Sequence, residues 1–353
     1  MGALEFICDR RFHRSFVVPA DSEANKPKPY HVSYSDFGDA DSKAVVLFCG
    51  ALFGQRLCYA PLDQLAKAHH VRIIHPDRPG VGGSEAVEPE KRIQTWLEMV
   101  PKLLAHLNIS HVSIASHSGG DIYLMNFILA YPHLLNPNHP YAAFFAPWVH
   151  YSHSRMTHLQ ATELLPASWI GKFGALAPVA LTVSGAVDSG GPEDSPRDVF
   201  QDIALDDPKV VDDLRELITK FVFAENVDGV SADAQLFLKR SVPWSTPVVE
   251  WKDLDDAVQL LSKTISEDDR LAGSNKVWSI DCFHGEHDQM VGDKGRDWFN
   301  ATWMPSPSYK YRPVVIEGTE HDFLMDPAFG ASKQWLQRVS ESWQTSQPDV
   351  AAP

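Results

Sequence analysis

Short apolar runs bounded by turn residues recur along the first part of the chain, and apolar positions at helical spacing separate them. The runs RFHRSFVVP, YHVSYSDFG, AVVLFCG, VRIIHPD, HVSIASH and YAAFFAP, all before residue 148, are short and rich in β-branched and aromatic residues, which predicts strands. AVVLFCG and HVSIASH are apolar or small almost throughout, as strands buried on both faces of a parallel sheet tend to be. The first two runs, joined by a polar loop containing Ser22 to Pro29, predict an antiparallel hairpin. Helical patterns lie between the later runs in LCYAPLDQLAKAHH, IQTWLEMVPKLLAHLN and DIYLMNFILAYP. This alternation predicts a sheet that becomes parallel through βαβ crossovers.

After Pro147 the texture changes. DDPKVVDDLRELITKFVF and LDDAVQLLSKTI follow one another as helical patterns with no convincing strand between them, and a Gly/Ser/Pro-rich stretch over 184–196 reads as a mobile loop. Strand signals return in KVWSIDCFHG and KYRPVVIEG, and ASKQWLQRVSESW predicts a terminal helix. The expected organisation is a core in two parts, 1–147 and 273–353, with a helical cap inserted over 148–272. The 353 residues suffice for one large α/β domain with such an insertion.

Composition narrows the partners. At 44% hydrophobic and 22% charged the chain is ordinary for a globular protein. A net charge of -15 argues against a nucleic acid or an anionic membrane surface, because both need clustered Lys and Arg. Cys8, Cys49, Cys58 and Cys282 form no C-x-x-C pair and read as reduced residues. No run approaches the roughly 18 apolar residues of a membrane span, and the start MGALEFICDRRFHRSF lacks the apolar region of a secretory signal. The expectation is a cytoplasmic protein with no membrane span.

Chemistry is concentrated in three turns. In SIASHSGGDIYLMNF, a strand gives way at once to a helix through Ser116-His117-Ser118-Gly119-Gly120. A nucleophile elbow needs small residues two before and two after the nucleophile, because strand end and helix start cross closely there. Ser118 is therefore a candidate nucleophile, although a serine that merely caps the helix would fit the same letters. A serine hydroxyl needs a general base, itself oriented by a carboxylate. Asp288 follows the strand that ends at Gly285, and His321 follows the one that ends at Gly318, both on the sheet edge where open α/β sheets place their sites. Glu286 is the substitute for Asp288.

In these residues the chain resembles the α/β-hydrolase superfamily, over nearly its full length outside the cap. The order Ser118, Asp288, His321 agrees with that fold, and Asp77-Arg78-Pro79-Gly80-Val81-Gly82-Gly83-Ser84 resembles the D-x-x-G-x-G-x-S turn after the family's fourth strand. The resemblance implies a mostly parallel eight-stranded sheet flanked by helices, with an inserted cap domain. It also implies a Ser-His-Asp triad working through an acyl-enzyme, with the backbone amides of Gly119 and Ala51 holding the oxyanion. The family often carries His-Gly-x-Pro where this chain has Cys49-Gly50-Ala51-Leu52, which leaves Leu52 as the alternative donor. A serine nucleophile separates the chain from the epoxide hydrolases and haloalkane dehalogenases of the family, whose nucleophile is a carboxylate.

The resulting expectation is a serine hydrolase acting on a carboxylic ester, lactone or thioester, with no metal or organic cofactor. An acyltransferase, a cyclase, a carbon–carbon bond hydrolase and a non-catalytic small-molecule receptor are the alternatives. The cap aromatics Trp148, Trp169, Phe173, Phe221, Phe223, Phe237, Trp244 and Trp251 suggest a lipophilic small-molecule substrate. Leu52, His117, Trp148 and Phe173 are the candidate substrate contacts. His284, His287 and Asp322 read as neighbours of the site, and His150, His153 and His158 lack the carboxylate or Cys spacing of a metal site.

Overall fold

The computed structural model describes residues 1–20, 28–164, 202–240, 242–267 and 277–344. All eight expected strands form and join one sheet: β1 (Arg14–Val18), β2 (Tyr30–Gly38), β3 (Val45–Cys49), β4 (Arg72–Pro76), β5 (Ser113–His117), β6 (Tyr141–Phe145), β7 (Trp278–Gly285) and β8 (Tyr309–Ile316). Their spatial order is β1-β2-β4-β3-β5-β6-β7-β8. The first two pair antiparallel as a hairpin, β2 runs antiparallel to β4, and from β4 to β8 every pairing is parallel.

Helices cover both faces. Among the described residues they are α1 (Ala3–Ile7), α2 (Asp63–Ala68), α3 (Arg92–His106), α4 (Gly120–Ala130), α5 (Tyr151–Ser154), α6 (Thr157–Gln160), α7 (Pro208–Ala224), α8 (Asp228–Phe237), α9 (Leu254–Ser266), α10 (Gly292–Thr302) and α11 (Ala331–Gln344). The pattern expected to be one helix over LCYAPLDQLAKAHH splits into a 3-10 stretch, Arg56–Leu62, and α2. Pro61 supplies the reason, because it has no N–H to donate within a continuous helix.

Successive strand residues point to opposite faces, and the core divides accordingly. Val45, Leu47, Cys49, Ile114, Ala142, Phe144 and Ile280 join one buried cluster with α3 and α4; Val46, Phe48, Ala115, Ala143 and Phe145 join the other with α2 and α11. The helices expected to form a cap contribute to both clusters. Leu214, Ile218 and Val222 of α7 pack on the α2 and α11 side together with α1, whereas α8, α9, Trp244 and Trp251 pack on the α3 and α4 side. Among the described residues no helix is long and apolar enough to cross a membrane.

Candidate active site

The sheet brings the three singled-out turns together at one edge. Ser118 follows β5 with φ +51°, a left-handed conformation that a non-glycine residue adopts only when its surroundings impose it. Its N–H is held by the Phe145 carbonyl at 2.9 Å, and its own carbonyl accepts from Asp121 N–H at 3.0 Å. The glycines that follow explain the sequence of the elbow. A Cβ at position 120 would fall 2.2 Å from the Cys49 carbonyl oxygen, and one at position 119 would fall 2.1 Å from the Phe237 ring. The first contact is the crossing of helix and strand; the second comes from α8, which lays Phe237 over the elbow.

His321 Nε2 lies 2.8 Å from Ser118 Oγ, and its Nδ1 lies 2.8 Å from Asp288 Oδ2. The other oxygen of Asp288 accepts from the backbone N–H groups of Met290 and Val291, both at 2.8 Å. Burial works against the Asp288 carboxylate, but the His321 charge, its hydrogen bond and these two amides outweigh it and hold the group below the usual carboxylate range. An ionised Asp288 can only accept, so Nδ1 of His321 carries the proton and Nε2 faces the serine hydroxyl as acceptor. For His321, burial disfavours the imidazolium, yet Asp288 raises the ring above its ordinary value. The arrangement can take a proton from Ser118 and hold it on a stabilised imidazolium.

The remaining expected residues fall out as follows. Glu286 accepts from Gly318 N–H at 2.9 Å, away from His321. His284 is buried, with Nε2 3.0 Å from Asn300 Oδ1, and His287 and Asp322 are exposed. His150 contacts Ser152 through Nδ1, and His153 pairs with Asp253 at 3.2 Å while stacking on Trp298. Among the described residues no group of His, Cys, Asp and Glu is arranged to hold a metal ion. Trp148 is anchored by donating Nε1–H to the Phe237 carbonyl at 3.1 Å. Phe173 and Trp169, and the stretch over 184–196, lie outside the described residues.

His117, expected to contact substrate, bridges two parts of the site. Its Nε2 donates to the His321 carbonyl at 2.9 Å, and Nδ1 then accepts from Tyr59 Oη at 3.1 Å. Burial and the nearby His321 lower its pKa to about 4, which keeps it neutral, as this double role requires.

Ala51, expected to offer its amide to an oxyanion, has given that N–H to Tyr59 Oη at 2.9 Å. The reason is the tight turn after β3, which sets Ala51 against Tyr59 from the following 3-10 stretch. Leu52 N–H and Gly119 N–H donate to no group among the described residues.

Three residues at the site were not singled out for roles by the sequence, Tyr59, Arg78 and Asp233, and Phe237 was read only as one of the cap aromatics. Arg78 lies inside the Asp77–Ser84 turn, where the glycines and serine drew attention. Gly80 and Gly82 take positive φ there, and a Cβ on Gly82 would fall 2.3 Å from Asp77 Oδ2. Nothing local marks Asp233, whose partners are 110, 141 and 155 residues away.

No protein-family model and no curated protein sequence matches the chain. Solved structures do. A structure from a study of carboxylesterases of the Thaumarchaeon Nitrososphaera gargenis superimposes with a TM-score of 0.57 at 15% identity, covering 90% of this chain and 96% of that one. The enol-lactonase of Burkholderia xenovorans LB400 gives 0.57 at 12% identity, covering 93% and 100%. The epoxide hydrolase VrEH1 of Vigna radiata gives 0.56 at 14% identity, covering 96% and 99%. At these identities the likeness concerns architecture, and this chain has the α/β-hydrolase fold.

Proposed function

We propose that the chain is a serine hydrolase that cleaves a carboxylic ester, lactone or thioester of a lipophilic small molecule. The observation that carries this reading is the chain of contacts from Ser118 Oγ through His321 to Asp288, each 2.8 Å long, with the serine in a left-handed backbone conformation. His321 takes the Ser118 proton as Ser118 attacks the carbonyl carbon. Asp288 keeps the ring oriented and stabilises its charge. The tetrahedral oxyanion is met by the amides of Gly119 and Leu52, whose N–H groups donate to no group among the described residues. His321 then returns the proton to the leaving group, and water, activated by the same ring, releases the acyl group. The apolar ring of Phe237 over the elbow, with Trp148 beside it, supports a lipophilic substrate.

Two of the similar structures are named for esters and lactones, which supports acyl chemistry over the epoxide opening named for the third. Ser118→Ala is expected to abolish turnover of a panel of esters, thioesters and lactones, together with labelling by a fluorophosphonate, while circular dichroism stays unchanged. Undiminished labelling would overturn the assignment. Ser118 is only 7% exposed, and a site this closed also suits transfer of the acyl group to an acceptor other than water. Adding alcohol or thiol acceptors during turnover and looking for transacylated product separates the two.

A further inference from the structure

The loop after β3 is gripped from two sides. Arg78, in the turn after β4, is buried and directs its guanidinium at four oxygens. Nε donates to Asp233 Oδ2 at 2.7 Å, Nη1 to the Gly50 carbonyl, and Nη2 to the carbonyls of Ala51 at 2.6 Å and Leu52 at 3.1 Å. Three consecutive carbonyls thus converge on one side chain.

A trans peptide points its C=O and its N–H in opposite directions. Drawing the Gly50 carbonyl onto Arg78 therefore turns the Ala51 N–H to the far side of its peptide, where Tyr59 intercepts it at 2.9 Å. Drawing the Ala51 carbonyl onto Arg78 turns the Leu52 N–H the same way, and this amide meets no acceptor among the described residues.

The guanidinium can lie buried here only because it is neutralised. Asp233, fully buried in α8, accepts from Arg78, from Arg92 Nε at 2.9 Å and from Tyr123 Oη at 2.5 Å, and forms an ion pair with Arg92 Nη2 at 2.7 Å. Next to this cluster Arg56 pairs with Asp77 and Glu225, both at 2.6 Å. Three arginines thus face three carboxylates. The helix that supplies Asp233 also supplies Phe237 over the elbow.

We infer that Arg78 is a positioning residue for acyl transfer. It aims the Leu52 amide at the substrate oxygen, Asp233 is its counter-charge, and Tyr59 removes Ala51 from competition. The set of the oxyanion loop and the seating of α8 are therefore one arrangement. This rests on the Ser118 reading under Proposed function.

Two measurements test it. The first needs no substitution: a crystal structure of the full chain phosphonylated by a fluorophosphonate. The phosphoryl oxygen is expected about 3 Å from both Leu52 N and Gly119 N, with Ala51 still bonded to Tyr59. An oxygen bound by Ala51 N–H, with Tyr59 displaced, overturns the inference and leaves the function standing; absence of any adduct on Ser118 overturns both.

The second compares a carboxylic ester with its thionoester in wild type, Arg78→Lys and Asp233→Asn. Sulfur is the weaker acceptor, so the preference for the oxygen ester reports how well the oxyanion is met. Both variants are expected to lose on the order of 10²-fold in kcat on the oxygen ester, with KM little changed and most of the oxygen preference gone. The ratio is taken within one preparation, so inactive protein cancels. An unchanged ratio in a variant that turns over overturns the inference; if neither variant folds, the phosphonylated structure decides.

Discussion

Asp281 and Asp288 lie on and just beyond the same strand, and they do opposite things. Asp281, inside β7, is fully buried and accepts from Tyr141 Oη at 2.6 Å, Arg312 Nε at 2.5 Å and Arg338 Nη1 at 2.7 Å. Asp288, past the strand end, accepts from two backbone amides and one imidazole. Both carboxylates are well satisfied, so hydrogen bonding does not distinguish them. The partner does: arginine keeps its proton throughout the accessible pH range, whereas an imidazole gains and loses one near neutrality. The first arrangement can only hold the sheet against α11, whose Arg338 it engages; the second can cycle a proton to a serine.

The sharpest break of that contrast is to neutralise each carboxylate in turn. Asp288→Asn is expected to lower kcat on the order of 10⁴-fold with little change in melting temperature, because the imidazole loses its orienting acceptor. Asp281→Asn is expected to do the reverse, losing about 3 kcal/mol of stability as two arginines lose their charge partner while retaining kcat. Ester turnover and thermal melts on both variants check this, and equal activity losses would erase the distinction.

Next in size is the elbow. Gly119→Ala drives a Cβ to 2.1 Å from the Phe237 ring and is expected to cost roughly 10²-fold in kcat/KM through displacement of α8 or of Ser118. Phe237→Ala in the same chain is expected to restore a large part of it; a double-mutant cycle showing additive effects would mean that the two residues do not meet.

The contrast has a pH form as well. His321 must be neutral to accept a proton, and Asp288 raises its pKa, so kcat/KM is expected to fall as pH drops through a midpoint above the ordinary value of about 6.5. His117, His150 and His284 behave oppositely, with burial the first cause of pKa values lowered to about 4. The unfolded chain then binds protons first on acidification, so their contribution to stability is intact above about 6.5 and is lost between there and about 4. Activity is expected to disappear at a higher pH than the fold. Coincident midpoints in a kcat/KM profile and a series of melts would contradict this.

The smallest effect is expected at Tyr59. Tyr59→Phe leaves the Ala51 N–H and His117 Nδ1 without their partner, which costs about 1–3 kcal/mol and is expected to lower kcat only a few-fold, because Arg78 still holds the loop. A loss as large as that of Arg78→Lys would shift the positioning role to Tyr59.

Much of this site is legible in the residue order because each part is a local event. The glycines after Ser118 answer a close crossing within one turn, and Asp288 and His321 follow strands whose apolar runs announce their ends. The bonds of His117 are not legible locally, because its partners are 58 and 204 residues away. The helices of 148–272 read correctly as helices at Pro208–Ala224 and Leu254–Ser266, but their amphipathic patterns do not say what each will pack on: the first lies against α1 and the 3-10 stretch Arg56–Leu62, the second against α4 and α10.

The sequence by itself determined the strand order along the chain, the sharp turn that lifts Ser118, and the three residue types able to share a proton, since periodicity and turn chemistry are properties of neighbouring residues. Only the tertiary structure decided which amide after β3 meets no acceptor among the described residues. A backbone N–H points away from its own peptide's carbonyl, and here those carbonyls answer to Arg78, which Asp233 of α8 holds, while Tyr59 Oη accepts from the Ala51 N–H.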